Sequence, residues 1–330
     1  MHDIKSVPCI HKLPLIRFFR RNKQWIVMKV KRIIVQLKST FRSLFFPQVK
    51  REMTPYDSIC FLDNVLEEVC YPTCGKERMA LAREIALIED LGKQYDFTEW
   101  RKGDIDRNEL RENVFWELVK ETLPYDDDKI RMGFGGARPR HRVKAESRAM
   151  ILLGLPASGK STVAQTMSDV RGAYIVDSDL AKKKLPEIAF PNGASWVHEE
   201  SSDIAISGLN SLQNYCIAFG YNMVIPKIGA KAGTIEKLYH QLVEKGYRVS
   251  LGLVWLPPEK ALVRAIKRYQ SSKRYIPIFK ITREYKEHPK EVFDFLKQKL
   301  VWESILHLSS DVKKGEPYEI IEIDNDCVWW

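Results

Sequence analysis

The chain has 330 residues, 45% of them hydrophobic and 29% charged, with only 17 Gly and 16 Pro, which excludes a disordered chain and supports a sizeable core in one or two domains. Its formal net charge of +10 suggests nucleic acid or an anionic membrane as a partner. Thirteen of the Lys and Arg lie in residues 1–51 against a single acid, Asp3, so residues 52–330 sum to −2 and the folded body is nearly neutral. The six Cys are too scattered for a disulfide framework and fit a reducing cytoplasm. No window is apolar enough for a transmembrane helix, and the start does not resemble a secretory signal.

From Lys23 to Phe46 apolar residues such as Trp25, Ile26, Val30, Ile33 and Leu37 mix with cations at near-helical spacing. That is the pattern of a basic amphipathic helix contacting an anionic membrane or nucleic acid. A docking helix, or an extension ahead of a true start at Met53, also fits these residues. Between Met53 and Asp128 the periodicity predicts three helices, Ser58–Cys70, Glu77–Tyr95 and Arg107–Thr122, the third capped by Asp106 or Asn108. Asp126-Asp127-Asp128 reads as a solvated turn rather than a cation site. Cys60, Cys70 and Cys74 lack a second ligand pair and a nearby His, so they read as buried helix cysteines. The Gly-rich and basic stretch Gly133 to Arg142 reads as a linker, with anion-binding backbone and cations near a site as the alternative.

From Ala149 short apolar runs alternate with amphipathic stretches. Strands are predicted at Ala149–Leu153, Ala173–Val176, Tyr221–Ile225 and Tyr247–Trp255, and helices at Lys160–Val170, Val197–Phe219, Thr234–Lys245 and Pro258–Gln270. A helix near Glu291–Leu306 and a last strand at Tyr318–Ile323 follow, with Trp329 and Trp330 docked on the core. This order predicts an α/β fold, a mainly parallel sheet flanked by helices.

After the first strand, Gly154-Leu155-Pro156-Ala157-Ser158-Gly159-Lys160-Ser161-Thr162 fits the P-loop pattern G-x-x-x-x-G-K-[ST]. Glycines let backbone N–H groups turn in around a phosphate, the following helix adds the partial positive charge of its N-terminus, Lys160 reaches the β and γ phosphates, and Ser161 holds Mg²⁺. ATP and Mg²⁺ are therefore the expected cofactors. Asp177-Ser178-Asp179 follows the second strand, beside the P-loop, where open α/β sheets bind ligands. Asp179 is read as the base that accepts a substrate hydroxyl's proton; an Asx-type cap is the alternative for the pair. Four cations occur between Lys267 and Arg274, and Arg268 and Arg274 are chosen as the lid cations that neutralise phosphoryl charge, because a planar guanidinium grips phosphate bidentately. Tyr269 and Tyr275 stack on adenine or pack beside the lid.

The order of P-loop, Asp-x-Asp, Gly220-Tyr221-Asn222-Met223-Val224-Ile225, Gly246-Tyr247 and Ile266-Lys267-Arg268-Tyr269 resembles the zeta toxin family of P-loop kinases over about 149–277. The resemblance implies ATP-dependent phosphorylation of a hydroxyl on a UDP-activated amino sugar and restraint by a small helical antitoxin. It implies Lys160 on phosphates, Asp179 as base, Arg268 and Arg274 on ATP, and an acid on the long helix, Glu200 or Asp203, against substrate. Where the toxins place an acid, a small hydroxyl residue and an arginine after the Gly-Tyr-Asn strand, this chain has Pro226-Lys227-Ile228-Gly229-Ala230-Lys231. Lys227 and Lys231, with Asp177, are then the candidates for an anionic part of the substrate.

The expected organisation is a basic extension at 1–52, a helical module at 53–130 with a role as cis-acting antitoxin or substrate cap, and a P-loop kinase domain at 131–330. The leading expectation is a cytoplasmic, ATP-dependent kinase of a small hydroxyl compound. A kinase of another metabolite or of a nucleic-acid 5′-hydroxyl, and a nucleotide-dependent binding switch, are the alternatives.

Overall fold

Strands buried on both faces are continuously apolar rather than alternating, and β1 (Arg148–Leu153) is buried at every position after the first. The computed structural model describes residues 76, 80–85, 105–189, 193–272, 275–276, 280–313, 315–324 and 327–330. All belong to one unit, Pro55–Trp330. The proposed helices before residue 76, the basic stretch, Cys60, Cys70, Cys74 and Arg274 lie outside the described residues.

In chain order the elements are α1 (Ile105–Lys120), β1, α2 (Lys160–Arg171), β2 (Tyr174–Ile175), α3 (Ser178–Lys182), α4 (Gly193–Trp196), α5 (His198–Ser202) and α6 (Leu212–Phe219). They continue with β3 (Met223–Lys227), α7 (Ala232–Glu244), β4 (Arg248–Trp255), α8 (Pro258–Ser272), α9 (His288–Lys299), β5 (Ile305–Ser309) and β6 (Glu319–Ile323). The sheet order is β2-β3-β1-β4-β5-β6, parallel except for the antiparallel edge strand β6. The expected mainly parallel α/β sheet is therefore present. Helix α2 packs over β1 and β3, and α7 and α9 cover β4. Gly252 sits opposite Leu152 in the middle of β4, where a Cβ would lie 2.8 Å from Leu152 Cδ1 and 3.1 Å from the Met150 sulfur. Only glycine lets those two side chains fill the core there. Among the described residues no helix is long and apolar enough to cross a membrane.

Two predicted helices are corrected. The long helix Val197–Phe219 is broken: α5 runs into a π-helical turn, Asp203–Ser207, the backbone becomes extended at Gly208, and Ser211 starts α6 by accepting a hydrogen bond from Asn214 N at 3.3 Å. Asn214 also donates to the Gly208 carbonyl at 2.9 Å, so side chains satisfy the backbone groups released at the break. The helix Glu291–Leu306 ends at Lys299, and Ile305–Ser309 forms β5 instead, because its apolar residues complete the sheet beside β4.

The boundary at 130 is not a break in packing. Val114, Leu118, Val119, Leu123 and Ile130 share one buried core with β1 to β5. The stretch expected as a linker is also fitted into that core: Gly136 donates to the Thr122 carbonyl at 3.1 Å, Ala137 donates to the Leu118 carbonyl at 2.9 Å, and a Cβ on Gly136 would meet the Glu121 carbonyl at 2.3 Å. At the C-terminus Trp329 is fully buried, whereas Trp330 is 40% exposed.

Candidate phosphoryl-transfer site

The carboxyl ends of β1, β2 and β3 lie on one edge of the sheet because the three strands are parallel. From β1 the chain enters the loop Gly154 to Gly159. Gly154 has φ +151°, and a Cβ there would lie 2.5 Å from the Val254 carbonyl. Ala157 holds φ +62°, a conformation costly for a residue with a side chain, and Gly159 caps α2 at φ +91°. Ser158 Oγ is buried without a hydrogen-bond partner. Lys160 Nζ bends back over the loop and donates to the carbonyls of Gly154 at 2.5 Å and Leu155 at 2.6 Å. Ser161 and Thr162 are exposed in the first turn of α2, and Pro156 is half-buried. Leu155 is buried in one cluster with Leu262, Ala265 and Ile266 of α8, so the loop and that helix share a core.

Sequence reasoning missed Tyr318. Its hydroxyl lies 3.4 Å from the Gly159 carbonyl, to which it donates, and a Cβ on Gly159 would stand 2.8 Å from that oxygen. Tyr318 approaches from just before β6, 159 residues later in the chain, and nothing local in the sequence announces the contact.

The two carboxylates of Asp-x-Asp make different contacts. Asp177 caps α3 and accepts from Asp179 N at 2.9 Å, the Asx-type arrangement. Asp179, in the first turn of α3, accepts from Lys182 Nζ at 3.0 Å and remains half-exposed. His198 is a second group missed by sequence reasoning. Burial lowers its pKa, Lys182 and Lys280 lower it further, and Asp179 and Glu199 oppose them, which places the imidazole in the electrostatic surroundings of Asp179.

Lys227 ends β3 in register with Leu153. Burial holds its pKa below the ordinary lysine value, with Asp177 acting in the other direction, so Lys227 and Asp177 face the same edge of the sheet. The Ile228 carbonyl accepts from Gly154 N at 3.4 Å, which binds the loop after β3 to the start of the P-loop. Lys231 is exposed at the N-terminus of α7.

The family model described as Zeta toxin matches residues 138–318, more than half of the chain. The chain belongs to the zeta toxin family. A kinase-like, nucleotide-dependent function follows from that membership and the P-loop core. Comparison with curated proteins finds no match.

Among solved structures, the PezAT chromosomal toxin-antitoxin system of Streptococcus pneumoniae is similar at 15% identity and TM-score 0.47, over 69% of this chain and 84% of that one. The complex of AvrRxo1-ORF1 with AvrRxo1-ORF2 is similar at 15% identity and TM-score 0.45, over 77% and 75%. A gluconokinase from Sinorhizobium meliloti 1021 has 12% identity and TM-score 0.30, over 53% and 86%.

The loop fits the nucleotide phosphates that the family implies. Gly154 and Gly159 leave no room for side chains, and Ser158 Oγ is a buried polar atom still lacking a partner. The exposed Ser161 hydroxyl and the Asp179 carboxylate are oxygen donors of the kind Mg²⁺ takes.

The acids expected to meet substrate are corrected in part. Glu200 is 1% exposed, and its carboxylate is gripped by Arg107, with Arg111 3.8 Å away. It serves as an internal counter-ion to the α1 arginines. Arg107 also reaches Glu187 at 2.8 Å, and Arg111 pairs with the more exposed Asp203. Both arginines project from α1, one turn apart, outside the residues that match the family.

Arg268, expected over the P-loop, donates to Asp128 at 2.6 Å. Tyr269 is buried, donates to Glu84 at 2.7 Å and meets Tyr275 edge-on at 5.6 Å between centroids. It packs α8 against residues 80–85 rather than offering a face to adenine.

Proposed function

We propose that the protein transfers the γ-phosphoryl group of ATP to a hydroxyl of a small molecule. The observation that carries this reading is a half-exposed carboxylate, Asp179, presented by the strand edge that also carries the P-loop. Backbone N–H groups of 154–160 and the N-terminus of α2 would hold the phosphates. Lys160 would exchange the carbonyls of Gly154 and Leu155 for phosphate oxygens, and Ser161 would hold Mg²⁺, which supplies charge neutralisation on the transferred group. Asp179, paired with Lys182 at 3.0 Å, would accept the acceptor's proton. Arg268, held by Asp128 through Nη2, and Arg274 would supply the remaining positive charge.

A nucleotide sugar is the first acceptor class to test, on the family's account, with Lys227 and Lys231 as contacts to its anionic part in place of the family's residues. Asp203, partly exposed beside Arg111, is the remaining acidic candidate on that side. A small inhibitor acting in trans suits this chain better than α1 as a detachable cis module, since α1 shares the kinase core.

The deciding experiment incubates the full chain, Mg²⁺ and γ-labelled ATP with a panel of UDP-amino sugars, other sugar metabolites and 5′-hydroxyl oligonucleotides. Label on a nucleotide sugar supports the reading in full. Label on an oligonucleotide moves the acceptor class, and label released only as phosphate supports a nucleotide-dependent switch instead.

A further inference from the structure

Three consecutive lysines leave the C-terminal end of α3, the helix that presents Asp179, and each is held by a different acid. Lys182 returns to Asp179 itself at 3.0 Å. Lys183 donates to the Asp127 carboxylate at 2.6 Å and to the Asp127 carbonyl at 2.7 Å, with Asp128 3.7 Å away. Lys184, whose side chain is fully buried, donates to Glu117 of α1 at 2.7 Å.

The lid helix α8 is tied to the same place, since Arg268 donates to Asp128 at 2.6 Å. One short turn therefore holds, with adjacent carboxylates, the helix after β2 and the helix after β4, two strands that lie on opposite sides of β1 in the sheet order.

The turn is built to stay where it is. Asp126 accepts from Asp128 N at 3.1 Å through its side chain and from Lys129 N at 3.1 Å through its carbonyl. Ile130, directly after it, is buried in the main core. The Lys183 and Asp127 side chains are 8% and 18% exposed, so this pair is sheltered from the solvent and salt that make surface pairs weak. Two donations from one ammonium to one residue also fix direction, not only proximity.

We propose that Asp127 and Asp128 are positioning residues of the transfer site, the first orienting the Asp179 helix through Lys183 and the second setting the lid helix through Arg268. The proposal rests on the reading of Asp179 and Arg268 as groups of the transfer site. It assigns a function to residues that precede the family match at 138. Phosphoryl transfer depends mainly on positioning, and a displacement near 1 Å can cost about 10²-fold in rate.

The test uses the full chain and two readouts, amide hydrogen exchange and release or transfer of label from γ-labelled ATP in Mg²⁺ with UDP-N-acetylglucosamine present. Asp127→Asn is expected to speed exchange in residues 178–184 by about tenfold or more and to lower turnover about tenfold, with the KM for ATP changed by less than about twofold. Asp128→Asn is expected to do the same to residues 258–272. Lys183→Ala should reproduce Asp127→Asn, and Lys183→Arg should restore most of the loss. Unchanged exchange in 178–184 and 258–272 would overturn the proposal, as would an equal rise in β1 and α2, which marks global loosening. Asp179→Asn separates the two readings. Normal turnover in Asp179→Asn removes that residue as base while localised exchange still supports the positioning, whereas lost turnover beside unperturbed Asp127→Asn exchange removes the positioning alone.

Discussion

The P-loop and the acidic turn Asp126-Asp127-Asp128 are made in different ways. The loop is backbone geometry: nine consecutive residues, left-handed conformations at Ala157 and Gly159, and space guarded by glycines. The turn works through charged side chains whose partners are 56 residues away, for Asp127 and Lys183, and 140 residues away, for Asp128 and Arg268. Chemistry made by backbone over a short span has a local spelling. Positioning made by ion pairs across the fold has none, because each residue on its own is an ordinary surface charge.

The sharpest way to break that contrast is to remove side chains from the first region and ask whether the fold notices. Lys160→Ala takes away the ammonium but leaves the loop's glycines and its packing through Leu155 untouched. Turnover of ATP should fall about 10³-fold, the scale of losing a preorganised charge-stabilising donor, with the thermal midpoint little changed. A calorimetric scan and a single-turnover assay check both halves. A large fall in the midpoint would mean that the donations from Lys160 to Gly154 and Leu155 hold the loop together, and that the loop is not a backbone structure.

Asp179→Asn comes next, at about 10²-fold in turnover with nucleotide affinity retained, the contribution of a positioned general base. It sharpens the contrast because Asp179 stands between the two regions: its neighbour Asp177 is a backbone cap, legible as Asp-x-Asp, while its helix is held by Lys183 and Lys184 through distant acids. Equilibrium binding of a fluorescent ATP analogue, measured beside the rate, distinguishes loss of chemistry from loss of binding.

What could be read in the sequence follows the same division. The apolar runs of β1, β3 and β4 and the spacing of Gly154, Gly159 and Lys160 gave the parallel sheet and its phosphate loop, since each is specified by neighbours in the chain. The break at Gly208 was legible too, as Gly followed by the capping residue Ser211, but the apolar periodicity of the flanking helices masked it. Strand β5 was hidden because Ile305, Leu306 and Leu308 continue a helical spacing and become a strand only beside β4. Nothing in the helical pattern around Arg107, Arg111 and Glu117 names their partners. Their partners Glu200, Asp203 and Lys184 become visible only when the chain is folded.

Lys184→Met tests the energetic side of the ion-pair region. The side chain is fully buried and donates to Glu117 and the Arg131 carbonyl. Burial lowers its pKa even though Glu117 acts to raise it. Removing the ammonium leaves the half-exposed Glu117 still accepting from Gly133 N at 2.9 Å, so the carboxylate is not stranded completely. The expected loss is about 1–3 kcal/mol of unfolding free energy, measured by urea denaturation. A neutral or stabilising result would show that this pair serves orientation rather than stability, and would favour α1 as a positioning element over α1 as a structural one.

The smallest effect is expected where the two kinds of construction meet. Tyr318 is a distant side chain that touches the P-loop backbone, but its hydrogen bond to the Gly159 carbonyl is long at 3.4 Å and only partly buried. Tyr318→Phe keeps the ring against Gly159 and removes only that bond, so the KM for ATP should move by about twofold and stability by less than about 1 kcal/mol. A change beyond tenfold in KM would mean that the loop's shape is set from the far end of the chain. The P-loop would then belong with the acidic turn, as a site whose spelling is local but whose geometry is imposed from a distance.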